Sequence, residues 1–254
     1  MNISDRFPHI APDEKGIKTL FVDGAPFLMR GGELHNSSAS SAAYMEQAVW
    51  PYLRELHMNT VLLPIAWEDI EPEEGAFDFS LLDTLLQQAR REDMRLILLW
   101  FGLWKNGESY YVPRWVKQDD RQYFRIKRTR DATCDTISPF CAAAVEKDRQ
   151  AFCRLMNHLS QHDTQHTVIM MQVENEIGLL GAQRDHSEIA ERLLADEIPT
   201  ELTALYGATG TWGEAFGAEA GEYLMAYYYA KAAEEIAAAG KAIWPLPMLS
   251  LIHI

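Results

Sequence analysis

The stretch Thr167-Val168-Ile169-Met170-Met171-Gln172-Val173, followed directly by Glu174-Asn175-Glu176, decides the fold class. Its apolar residues run on without alternation, which is the pattern of a strand covered on both faces. Thr60-Val61-Leu62-Leu63-Pro64-Ile65 and Arg95-Leu96-Ile97-Leu98-Leu99-Trp100-Phe101 read the same way. Segments of helical period lie between them. Ala42 to Leu56 is helix-like, with Pro51 in the first turn of a fresh helix. Leu81 to Ala89 is a helix capped by Ser80, Ala142 to Leu159 a long helix, and Glu222 to Ala239 another, ended by Gly240. A hairpin precedes them, with Thr19 to Val22 and Phe27 to Met29 flanking Asp23-Gly24. Its second arm runs into a strand near 28–35, and a fifth strand begins at Pro247. Strands alternating with helices imply an α/β fold with a parallel sheet.

The 254 residues are 48% hydrophobic and 24% charged, enough for one substantial core and close to the usual size of a (β/α)8 barrel. A net charge of −14 disfavours nucleic acid and anionic membranes as partners. The one basic run, Arg121, Arg125, Lys127, Arg128 and Arg130, is expected to be a solvated loop. Cys134, Cys141 and Cys153 are odd in number and lack CxxC spacing, so neither a disulfide framework nor a structural zinc is expected. No membrane span and no export signal are read, so the chain as written is expected to be cytoplasmic, with periplasmic or secreted placement left open.

In parallel α/β folds the chemistry sits at the C-terminal ends of the strands. Those ends read Glu33-Leu34-His35, Ala66-Trp67-Glu68, Gly102-Leu103-Trp104-Lys105-Asn106 and Glu174-Asn175-Glu176. Indoles suit the apolar faces of a sugar ring, and carboxylates and amides suit its hydroxyls. Each residue also has an ordinary reading. Tryptophans after strands mostly pack, Glu68, Glu71, Glu73 and Glu74 form an acidic loop, and an Asn-Glu pair alone often just starts a helix. His158, His162 and His166 share a helical spacing, but a metal role ranks well below surface histidines. Gly207, Gly210, Gly213 and Gly217 lack the ending of a phosphate loop and read as a flexible connection anchored by Trp212.

Val168 to Gly178, with Gln172-Val173-Glu174-Asn175-Glu176 at its centre, resembles the strand-four motif of glycoside hydrolase family 35, the β-galactosidases. Phe27 to His35 resembles that family's strand-one signature and Pro64 to Phe79 its strand-two segment. Leu99 to Gly107 looks most like a bacterial branch. The resemblance implies a retaining (β/α)8 glycosidase that needs no cofactor or metal and acts on a β-galactoside. By position it makes Glu176 the acid/base catalyst and Asn175 the contact to the hydroxyl beside the reacting carbon. Glu33, His35, Trp67, Trp104 and Asn106 become subsite residues. The family usually has an alanine-glutamate pair where Trp104-Lys105 stand here. A homo-oligomer is compatible with the resemblance.

Five strand starts in 254 residues give about 50 residues per βα unit, against about 31 for a 250-residue barrel. The expected organisation is an extension over 1–16, a partial barrel over 17–248 truncated after about strand five, and a non-native tail over 249–254. The family nucleophile lies on strand seven, so none is assigned here. Two functional classes remain open, a β-galactosidase present as a fragment and a non-catalytic sugar-binding or structural fragment. A metal-dependent barrel using the histidines is a weaker third.

Overall fold

The computed structural model describes residues 6–249. The chain opens with a three-stranded antiparallel sheet of β1 (His9–Pro12), β2 (Lys18–Val22) and β3 (Ala25–Pro26). Asp23 and Gly24 both take positive φ, 53° and 81°, the twist that a two-residue hairpin turn requires. β1 falls within the expected 1–16 extension and was not read from sequence. Four residues with only two apolar among them carry little periodic signal.

The main sheet is formed by β4 (Gly31–Glu33), β5 (Thr60–Ala66), β6 (Arg95–Lys105), β9 (Val168–Asn175) and β10 (Met248–Leu249). Every pairing in it is parallel, in the order β10-β9-β6-β5-β4. Each strand thus lies beside the next one of that sheet in the chain. All ten positions of β6 after Arg95 are buried, which explains its unbroken apolar run. Leu20 and Val22 of the hairpin pack with Ile97, Leu99, Phe101, Ile169 and Met170, covering one side of the strands. Of the expected tail, Leu249 pairs with Gln172 and residues 250–254 lie outside the described residues.

Helices cover the other side: α1 (Trp50–Glu55), α2 (Ser80–Arg91), α3 (Ala142–His162), α4 (Glu188–Ala195) and α5 (Ala220–Ile243). Pro51 stands in the first turn of α1, and the chain before it, Met45–Val49, forms a wider π turn. A proline cannot donate back to the preceding turn and crowds it, so the helix loosens there. Ser80 is the first residue of α2 rather than its cap. The carboxylate of Asp78 accepts its N–H at 2.8 Å instead.

Two expectations are corrected. The basic run is not a loop but the hairpin β7 (Arg125–Thr129) with β8 (Ala132–Ile137), closed against the body by buried Tyr123 and Ile126. Below it, fully buried Asp185 accepts from the N–H of Lys127 and from the hydroxyls of Ser138 and Ser187, fastening the hairpin to the loop that leaves β9. Gly240, expected as a helix end, lies inside α5. A Cβ there would stand 2.3 Å from Cε1 of Phe152 on α3, so the glycine lets the two long helices touch. Gly240→Ala is expected to lower stability by about 1–3 kcal/mol through overpacking, read as a fall in the urea midpoint at unchanged slope.

Candidate active site

The site is built where β6 and β9 end. Their pairing is regular up to Trp100 with Val173 and resumes at Lys105 with Asn175, so five steps on β6 answer two on β9. The surplus backbone needs acceptors that the neighbouring strand cannot give. Glu174 supplies them. Its carboxyl accepts the N–H of Leu103 at 3.0 Å and of Trp104 at 2.7 Å. Asp148, reaching in from α3, accepts the same Leu103 N–H at 3.0 Å and the Trp100 indole N–H at 2.7 Å.

Both carboxyls are buried and face each other. Burial, and then the negative charge of Asp148, push Glu174 well above its ordinary value of 4.5. Burial likewise raises Asp148. Two carboxyls facing each other in so dry a place favour sharing a proton over ionising together. Gly102 makes the approach possible, since a Cβ at that position would lie 2.4 Å from Oδ2 of Asp148.

Above this pair the chain takes up left-handed backbone at non-glycine positions: Glu174 at φ 60°, Glu176 at 51° and Asn106 at 55°. Such conformations persist only where the surroundings hold them. Here the Asn106 N–H donates to the Asn175 carbonyl at 3.1 Å and the Gly107 N–H to the Glu176 carbonyl at 3.0 Å. The side chains then converge. Lys105 Nζ donates to Oδ1 of Asn106 at 2.6 Å, to Oδ1 of Asn175, and to Oε2 of Glu176 at 3.0 Å. Asn175 is buried, whereas the Glu176 side chain is 38% exposed.

The sequence-derived site residues separate into three sets. Glu176, Asn175 and Asn106 are brought together. Glu33 and His35 are exposed, and Glu33 pairs in register with Leu62, level with Ile97 and four residues before the end of β5. Trp67 and Trp104 are fully buried (0% exposed) and present no ring face to solvent. Their indole N–H groups donate to Glu71 and to the Ile137 carbonyl, and their rings meet Trp115 and Tyr229 edge-on. They form the packed floor of the strand ends, where neighbouring rings and core side chains cover them.

Lys105 was seen in the sequence only as a departure from the family pattern, and Asp148 was not singled out. A charged residue inside an otherwise apolar helical face was the available signal for Asp148. The histidines do not converge. His158 bonds to Asp83 and stacks between Phe79 and His162, while His166 lies against Phe7. Among the described residues no cluster of His, Cys, Asp or Glu has the arrangement of a metal site. No helix among them is long and apolar enough to cross a membrane.

Parallel strands with neighbouring order, helices on one side and acidic and amide side chains at the C-terminal ends define a barrel-type α/β site. The profile of glycoside hydrolase family 42, described as beta-galactosidase, matches residues 44–222. That is more than half of the chain, which therefore belongs to this family. The finding replaces family 35, to which the motifs were assigned. No curated protein matches. Among solved structures the chain is similar to a beta-galactosidase from Bacillus circulans sp. alkalophilus (13% identity, TM-score 0.65, covering 88% of this chain and 36% of that one). It is similar also to Gan42B, a GH42 beta-galactosidase from G. stearothermophilus (17%, 0.64, 88% and 35%). A third is the exo-beta-1,4-mannosidase Op5Man5 from Opitutaceae bacterium strain TAV5 (16%, 0.51, 98% and 34%). The likeness supports the glycosidase barrel fold, of which the five-stranded sheet is the counterpart here. The chain spans about a third of the length of these proteins.

The buried carboxyl pair has a pH signature. Glu174 releases its proton near 4.5 in the unfolded chain but only at higher pH when folded. Its contribution to stability is therefore complete below about 4.5 and is lost as pH rises through the folded value. The urea midpoint is expected to fall from pH 5 toward pH 8, and Glu174→Gln, which cannot ionise, is expected to flatten that decline.

Proposed function

We propose that this chain carries the proton-transferring and sugar-recognising part of a retaining glycosidase site that removes terminal β-galactosyl residues. The observation behind it is the cluster of Glu176, Asn175, Lys105 and Asn106 at the adjoining C-terminal ends of β6 and β9. Galactose as the sugar rests on the family description.

Retaining hydrolysis needs two carboxyl groups about 5–5.5 Å apart, a nucleophile and an acid/base. Glu176 takes the second role. In the first step the nucleophile bonds to the anomeric carbon while the aglycone oxygen leaves with the proton of Glu176. In the second, Glu176 takes a proton from water, whose oxygen displaces the nucleophile. A carboxyl only partly exposed at the mouth of the strands can exchange protons with solvent between the steps. Asn175 is assigned to the hydroxyl beside the reacting carbon, and Asn106, Glu33 and His35 to other parts of the substrate. The nucleophile is assigned to a strand other than the five of this sheet. Sugar binding without turnover is the second reading, favoured by the same count of strands.

An external anion can stand in for the nucleophile. With phenyl β-galactoside, whose poor leaving group needs a proton, and sodium azide, azide is expected to bond to the anomeric carbon as phenol departs, giving α-galactosyl azide. Glu176→Gln is expected to slow that release by about 10²–10⁴-fold. Binding without any release supports the second reading. Neither binding nor release overturns both.

A further inference from the structure

The Lys105 ammonium is buried, 7% exposed, with its Nζ 5.3 Å from the centre of the Phe101 ring. A lysine has three donors and no acceptor. All three are engaged here, by Oδ1 of Asn106, Oδ1 of Asn175 and Oε2 of Glu176. An amide facing an ammonium must turn its oxygen toward it, because the NH2 group would set donor against donor. With both oxygens held at Lys105, each asparagine has its NH2 on the opposite side of the amide. Neither NH2 is engaged by the lysine, and each can donate to an oxygen of a bound molecule. Reversing either amide would turn its NH2 toward the ammonium and lose a charge-assisted hydrogen bond. Asn175 follows a left-handed Glu174, Asn106 is itself left-handed, and their backbones are joined by the Asn106 N–H to the Asn175 carbonyl.

We propose that Lys105 is a positioning residue that fixes the amides of Asn175 and Asn106 with their NH2 groups presented as donors to sugar hydroxyl oxygens. The assignment rests on the reading of Asn175 as sugar-facing. It gives a role to a residue whose place at the end of β6 the sequence motifs did not explain. It also states a preference. The site reads the hydroxyl beside the reacting carbon as an acceptor, and that reading depends on a lysine that need not touch the sugar.

Two measurements on the whole chain test it. The first needs no sugar. An ammonium held by three acceptors and shielded from water exchanges its protons slowly, so Lys105 is expected to show a resolved 15Nζ–H resonance at neutral pH, absent in Lys105→Met and weakened in Asn175→Ala. A Lys105 signal that exchanges as fast as those of the exposed lysines overturns the proposal. The second compares methyl β-galactoside with its 2-deoxy counterpart by calorimetric titration. The wild type is expected to favour the 2-hydroxyl compound by about five- to tenfold, the worth of one hydrogen bond. In Lys105→Met the ratio is expected to fall to near one, and in Lys105→Arg, which keeps charge and donors, to recover in part. A merely structural lysine would weaken both sugars equally, so an unchanged ratio in a folded Lys105→Met overturns the proposal. If the wild type binds neither sugar, the functional reading falls, and the ammonium resonance alone decides whether Lys105 holds the two amides. Thermal melts of each variant separate loss of binding from loss of fold.

Discussion

The two buried carboxyls of Glu174 and Asp148, facing each other, hold the end of the sheet in its working shape. β6 carries more backbone than β9 can pair with beyond Trp100, and the unpaired N–H groups of Leu103 and Trp104 turn toward the two carboxyls. Two ionised carboxylates could not stay together in that dry interior, and two neutral acids would be weaker acceptors. One proton between them satisfies both demands. The arrangement also ties α3 to the sheet, because Asp148 reaches across to the Trp100 indole through the space left by Gly102.

What stands above the pair follows from it. With the end of β6 fixed, Lys105 comes level with Asn175, and the turn at Asn106 and Gly107 bonds back to the carbonyls of Asn175 and Glu176. The left-handed residues Glu174 and Glu176 are local costs carried by these bonds. On the far side, Asp185 performs a similar task for the loop after β9, gathering backbone and hydroxyl donors from the β7–β8 hairpin. The partly exposed carboxyl of Glu176 thus follows directly on a buried carboxyl that faces inward.

Much of this was legible in the residues. The apolar runs at 60–65, 95–101 and 167–173 become β5, β6 and β9, and the helical segments fall close to their expected places. Glu176, Asn175 and Asn106 do meet. The tryptophans were legible as aromatic rings after strands, but which way a ring turns depends on what else fills the floor, and Trp115 and Tyr229 take the places beside them. The β7–β8 hairpin was obscured because β7 is short and basic and β8 largely polar, and the hairpin is fastened by the distant Asp185. Gly240 looked like a helix end, although Phe152, far away in the chain, is the reason for it.

The sequence by itself determined the parallel α/β class, the places of the main strands in the chain and the acidic and amide residues at their C-terminal ends. Local periodicity and strand-end position are properties of neighbouring residues. Only the tertiary structure decided that Glu174 faces inward to Asp148 while Glu176 faces outward, and that Lys105 binds both asparagines. These outcomes depend on the unequal lengths of β6 and β9 and on a helix some twenty-five residues before the motif. No spacing within the motif encodes either.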